Sequence, residues 1–303
     1  MILHSRMPVM LCLALAGCAA GPDFEPPASP EGVGYTAEQL PAQTASAPVR
    51  LGESQRLVTA IPADARWWRA LQSPGLDALI EAAFAANPSL AAARATLRQA
   101  QELHAAQAGS TLYPVLDADL GAQRQRMNPG TLGLPGEARE FSLYNASVGV
   151  RYNLDLAGGN RRALESLAAR ADFRRYEVEA ARLTLAGNIA TTAIARASLA
   201  AQVEATIAIV QARDEQVRIA RERLRLGQAA PDEVLALQTQ AEQARAELPA
   251  LRKRWQQTGS LLAVLAGRAP AAGDIPEFSL ADFVLPAELP AVVPSVLVRR
   301  RPD

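Results

Sequence analysis

The stretch from Asn160 to Leu226 reads NRRALESLAARADFRRYEVEAARLTLAGNIATTAIARASLAAQVEATIAIVQARDEQVRIARERLRL and decides the fold. No proline occurs between Pro135 and Pro231, and Ala, Leu, Arg and Glu, the strongest helix formers, dominate it. At about 1.5 Å per residue this predicts a rod of roughly 100 Å. Such a rod suits a coiled coil, a helical barrel or a repeat array better than a globular core. It stops at Leu226-Gly227-Gln228-Ala229-Ala230-Pro231-Asp232. Gly227 can supply a left-handed cap and Pro231 the first turn of a returning helix. A long antiparallel helical hairpin is therefore expected over 158–268, with its tip near 226–235. Leu199, Val203, Ile207, Val210, Val217 and Leu224 read as a coiled-coil seam interrupted by Asp214 and Arg221. The return helix runs from Asp232 to about Gly267, and Pro249 is expected to kink it.

Composition agrees with a thin-walled helical assembly. Hydrophobic residues make up 49% of the 303-residue chain, much of it alanine, and aromatics only 5%. Small side chains let helices approach closely but fill a thick core poorly. Formal net charge is zero, so no bulk electrostatic case exists for nucleic acid. No run of 18 apolar residues follows the N-terminal segment, so no transmembrane helix is expected.

Residues 1–17 have the layout of a signal peptide, with Arg6 ahead of an apolar run from Val9 to Leu15. The run ends Leu15-Ala16-Gly17-Cys18, which resembles the bacterial lipoprotein lipobox. That resemblance implies cleavage before Cys18 and a covalent lipid on it as the chain's anchor. Ala19 follows, rather than an inner-membrane-retaining aspartate, which points to the outer membrane. Cys12 lies in the signal, so no internal disulfide can form. Residues 18–66 read as a Pro- and Ala-rich tether. Trp67-Trp68 then reads as an anchor for that tether rather than a binding platform.

Between Pro74 and Pro114 the apolar period is helical, with a break at Asn87-Pro88 that caps one helix and starts the next. The first helices therefore occupy 67–112. Over 113–157 the period becomes two. Leu116, Ala118, Leu120 and Ala122 alternate with Asp117, Asp119, Gly121 and Gln123. Tyr144, Ala146, Val148, Val150, Tyr152 and Leu154 alternate with polar residues in a second run. Tyr144 and Tyr152, roughly 20 Å apart on a tilted strand, match the two girdles of an outer-membrane strand. On this segment alone a soluble hairpin fits equally well; the lipobox favours the membrane. Tyr144, Val148, Val150 and Tyr152 are then the lipid-facing residues. The fold class expected is mainly α with a transmembrane β-hairpin: long antiparallel helical hairpins of an α-barrel, plus two strands of an outer-membrane β-barrel.

Lipobox, Trp67-Trp68, Ala86-Asn87-Pro88-Ser89, the run Tyr152 to Arg161 and the tip Arg225 to Leu235 together resemble a TolC-like outer-membrane efflux channel. More narrowly they resemble the NodT-type lipoprotein branch that serves tripartite RND pumps. The resemblance implies a trimer whose strands build one barrel and whose helices continue it as a periplasmic tunnel. It also implies passive conduction, with a periplasmic adaptor and an inner-membrane RND pump docking at Leu226, Gly227, Gln228, Ala229, Ala230, Pro231 and Asp232. The family has two repeats of helix, strand, strand, helix. Val296 to Asp303 resembles the start of the second, so residues 269–303 are expected to be a linker and an incomplete repeat. Three such chains would supply half a barrel, and open sheet edges in lipid are not tolerated. The chain is thus expected to be a truncated form, not a competent channel alone.

Nothing points to catalysis. His4 lies in the signal, and His104 sits in a helix between Leu103 and Ala105 without a metal-ligand partner. Gly158-Gly159 lacks phosphate-loop spacing. No metal or cofactor is expected beyond the lipid on Cys18. The competing readings are a lipid-anchored periplasmic coiled-coil interaction protein and a type I secretion channel.

Overall fold

The computed structural model describes residues 23–25, 28, 41–58, 66–272 and 274–290. The signal, the lipobox with Cys18, most of the tether and the expected start of a second repeat lie outside them. In chain order the elements are β1 (Arg56–Val58), a 3-10 turn (Trp67–Leu71), α1 (Pro74–Ala86) and α2 (Pro88–Leu112). There follow β2 (Val115–Met127), β3 (Arg139–Arg151), α3 (Gly159–Arg225), α4 (Pro231–Leu265) and β4 (Glu288–Pro290). The chain divides into two compact units, one formed by 1–26 and 96–175, the other by 27–95 and 176–303.

In the first unit β2 and β3 pair antiparallel without a bulge, from Val115↔Arg151 to Met127↔Arg139. The linker after β3 folds onto the first turn of α3: the backbone N–H of Arg161 donates to Asp155 Oδ2 at 3.0 Å. These helix N-terminal amides hold the Asp155 carboxyl below its usual range.

The second unit has its core where helix ends meet. Leu76, Ile80, Ala83 and Phe84 of α1, Leu90 of α2, Ile189 and Ala193 of α3 and Leu262 of α4 are buried. Trp68 packs edge-on against Phe84 with ring centroids 5.8 Å apart, and its Nε1–H donates to Asp77 Oδ1 at 2.8 Å. Trp68 is thus the anchor expected of the pair, while Trp67 stays partly exposed. β1 pairs parallel with β4, and Gln55 Nε2–H donates to the Pro286 carbonyl at 2.8 Å. The N-terminal segment is thereby tied to the segment after α4.

Asn87 joins α2 to α4. Its Oδ1 accepts from the Leu90 N–H at 3.1 Å and so caps α2, and its Nδ2–H donates to the Leu265 carbonyl at 2.9 Å. The start of α2 therefore abuts the end of α4.

Along α3 the buried or half-buried positions Val203, Thr206, Val210, Arg213, Val217, Ala220 and Leu224 alternate in steps of three and four. On α4 the same steps run through Val234, Leu237, Ala241, Ala244, Leu248, Leu251, Trp255, Thr258 and Leu262. Asp214 and Arg221 do not interrupt this seam, because Arg213 and Ala220 occupy it. Asp214 lies beside it and pairs with Arg245 of α4 at 2.8 Å. α4 remains one helix through Pro249. By length and mean hydropathy (1.4) a part of α3 could cross a membrane. α3 also carries the buried Arg196, and we assign its apolar character to helix packing.

Candidate functional site

Two surfaces matter: the faces of the β-hairpin and the tip between α3 and α4. The register sets Leu116, Ala118, Leu120 and Ala122 opposite Val150, Val148, Ala146 and Tyr144, so all eight share one face. Every residue of β3 is exposed. Leu120 is 88% exposed, Tyr144 76% and Val148 74%. An apolar face that rests on nothing in its own unit costs free energy in water, at about 25 cal/mol per Å². Behind this band, over 117–121 and 145–149, the opposite face is polar: Asp119 faces Ser147, Gly121 faces Asn145, and Asp117 lies 3.6 Å from Arg151. Among the described residues neither strand has a second neighbour, so both outer edges carry unpaired backbone groups.

The apolar face has an upper limit. At the next pair in register Arg124 meets Ser142, and Arg124 bridges to Glu140 at 2.9 Å. Tyr144, Val148 and Val150 are where the sequence placed them. Tyr152 is not: β3 ends at Arg151, and Tyr152 lies in the linker. The residue that would face it is Pro114, which has no N–H to give the ladder.

At the tip, α3 ends in a left-handed Gly227 with φ of 73°. The Gln228 N–H donates to the Arg223 carbonyl at 2.8 Å and the Gly227 N–H to the Leu224 carbonyl at 2.9 Å. This is the double-bonded glycine cap expected of the sequence. Ala230 is extended and Pro231 occupies the first turn of α4, with Asp232 and Glu233 beside the positive end of its dipole. Arg223 spans the turn, with Nη1 3.2 Å from Glu233 and Nη2 donating to the Gln228 carbonyl. Arg225 and Arg218 pair one turn back with Glu222 and Glu215, and these bonds hold both carboxyls below their usual range. The turn leaves Leu226, Gly227, Gln228, Ala230, Pro231 and Asp232 exposed and Ala229 half-buried. Leu235 is exposed on the first turns of α4.

One feature escaped the sequence pattern. Arg196, only 8% exposed, occupies the seam facing α4. Its guanidinium lies over the Trp255 ring, 4.3 Å from the centroid, and Nη1–H donates to the Trp255 carbonyl at 3.0 Å. Gly259 makes the space: a β-carbon there would stand 2.0 Å from Nη1. Burial lowers the Arg196 pKa, and the charge of Glu277 opposes that shift. Only the α4 register reveals the seat. Among the described residues no group of three or more His, Cys, Asp or Glu is placed to hold a metal ion.

This arrangement recurs in known proteins. The family model "Outer membrane efflux protein" matches residues 79–268. The pyoverdine export outer membrane protein OpmQ of Pseudomonas putida is 34% identical over 246 residues, covering 79% of this chain and 52% of that protein. The toluene efflux pump outer membrane protein TtgI of Pseudomonas putida is 27% identical, covering 98% of this chain and 60% of that protein. The chain thus spans about half to three fifths of the length of these relatives. The outer-membrane channel OprN superposes with a TM-score of 0.76 at 22% identity, over 94% of this chain and 60% of that one. VceC of Vibrio cholerae, an outer membrane protein, superposes with a TM-score of 0.62 at 26% identity, over 71% of this chain and 53% of that one. The family match spans α1 to the end of α4, the elements that carry both surfaces, and the chain belongs to the outer membrane efflux protein family.

Proposed function

We propose that this chain is a component of the outer-membrane exit duct of a tripartite RND-type efflux system, conducting small molecules passively from periplasm to exterior. The observation that carries the reading is the β-hairpin, apolar and exposed on one face, polar on the other, and unpaired at both edges. Lipid satisfies the first face, a water-filled lumen the second, and strands of further repeats the edges. The paired apolar band covers about 20 Å along the strands; Tyr152 and Leu154 beyond β3 extend it toward the roughly 25 Å of a membrane barrel. The exposed Ile194, Ile209 and Ile219 of α3 are surface for neighbouring helices of a homo-oligomer, a trimer on the family resemblance. The tip from Leu226 to Asp232 docks the periplasmic adaptor, and a lipid on Cys18 anchors the N-terminus in the outer membrane. An anchored rod without channel activity leaves the hairpin's apolar face unexplained.

Val148→Arg tests the membrane reading. At mid-depth it costs about 2–4 kcal/mol per strand pair inserted. With the anchor removed (Cys18→Ser behind a non-lipoprotein signal), the otherwise wild-type chain is expected to resist alkaline carbonate extraction from outer membranes, and the Val148→Arg variant to be released. Release of both would overturn the reading. The intact mass of the membrane-extracted protein tests the anchor: the absence of acyl mass on a chain beginning at Cys18 refutes it.

A further inference from the structure

We propose that the N-terminal segment 23–25 makes its own contact with the bilayer, with Phe24 seated in the headgroup–acyl boundary beside the base of the β-hairpin. This rests on the membrane reading of the hairpin and adds a residue that no strand supplies.

Phe24 is 83% exposed. Its neighbour is ion-paired: Arg162 Nη2–H donates to Asp23 Oδ1 at 2.8 Å, while Arg162 Nη1–H donates to Glu165 at 2.7 Å. These two carboxylates raise the Arg162 pKa, as expected of a cation held between acceptors. Arg162 belongs to the first turn of α3, the turn that also receives Asp155 from the strand–helix linker. Asp23, the linker and the start of α3 therefore form one cluster at the base of the hairpin. Within that linker Tyr152, Leu154 and Leu156 are all exposed, continuing the apolar residues of β3 to the place where Asp23 is held.

An exposed aromatic ring next to a residue tied to the base of the hairpin, where the linker also exposes apolar side chains, has the makings of an interfacial anchor. Bilayer lipid is the occupant that this succession favours, since the exposed Tyr152, Leu154 and Leu156 lead from the hairpin's apolar strand to the helical turn that holds Asp23. Chain length agrees. Phe24 lies six residue steps from Cys18, a span of at most about 21 Å, so an acyl chain on Cys18 and the Phe24 ring can both reach one leaflet. Asp23 is paired with Arg162, which lessens the cost of bringing its carboxylate near the interface.

The test is photocrosslinking of the full chain in phosphatidylethanolamine–phosphatidylglycerol vesicles. Phe24 is replaced by p-benzoylphenylalanine, with Val148 and Asp232 replaced likewise as membrane and water references. The expected result is a phospholipid adduct at position 24 comparable in yield to that at 148, with none at 232. Asp23→Asn in the same background should lower the yield at 24 by up to about fivefold, the range of an exposed ion pair, and leave 148 unchanged. Adduct at 148 without adduct at 24, or a protein–protein adduct at 24, overturns this proposal and leaves the hairpin reading intact. No lipid adduct at either position overturns both.

Discussion

Gly227 and Gly267 offer a controlled comparison. Each follows a long helix, each has φ of 73°, and each closes the same pair of bonds, Gln228 N–H to Arg223 and Arg268 N–H to Ala263, both at 2.8 Å. Alanine at either position meets the left-handed penalty of about 1–2 kcal/mol, offset by about 0.4–1 kcal/mol through reduced freedom of the unfolded chain. Nothing lies within 4 Å of a β-carbon at Gly227. Gly227→Ala is therefore expected to cost about 1 kcal/mol. A β-carbon at Gly267 would stand 2.5 Å from the Ala86 carbonyl oxygen and 2.7 Å from its carbon, where ordinary contact begins at 3.4 Å. The backbone at Ala86 must retreat, and Asn87 goes with it. Its cap on α2 is worth about 1 kcal/mol, and its bond to the Leu265 carbonyl about 1 more. Gly267→Ala should thus cost about 3 kcal/mol in total. The assay is urea unfolding of the detergent-solubilised chain followed by helical circular dichroism, with midpoint differences multiplied by a common slope. If the two variants agree within about 0.5 kcal/mol, the junction between α2 and α4 does not hold the fold as described.

Two further outcomes follow from the same core. Asp77 is held below its ordinary carboxyl value of 3.8 first by the Arg69 hydrogen bond and then by Trp68. Its folded pKa is depressed, so its contribution is present above pH 3.8 and is lost as pH falls through the lower folded value; Asp77→Asn should flatten the acid limb of an unfolding profile taken against pH. Ala193 is fully buried on α3 and Ile194 next to it is partly exposed: in thermal melts Ala193→Leu should destabilise by about 1–3 kcal/mol, and Ile194→Leu by less than about 0.5 kcal/mol.

The sequence by itself determined the long helices, the tip between them and the existence of the two long strands. A proline-free, alanine-rich run predicts the long helix to within a residue of its observed 159–225 span, because helix propensity and the absence of breakers act locally. Gly227 and Pro231 fix the tip for the same reason: a left-handed cap and a preset φ are properties of single residues. Period-two alternation assigned both strands and the shared face of Tyr144, Val148 and Val150. What depends on a distant partner was decided only by tertiary structure. Pro114 denies Tyr152 its place in the ladder, although the two lie far apart in sequence. Arg213 and Ala220, not Asp214 and Arg221, occupy the α3 seam, because the heptad phase is set by where α4 lies. Asn87 reads as a helix cap in sequence, yet its second bond is to Leu265, 178 residues away. Arg196 gives no sign of its seat until Trp255 and Gly259 come opposite it, and Phe24 reads as tether until Arg162 pairs with the residue beside it. Local backbone preference writes the first kind of information into adjacent residues. The second arises only when antiparallel helices and paired strands bring separate segments into register.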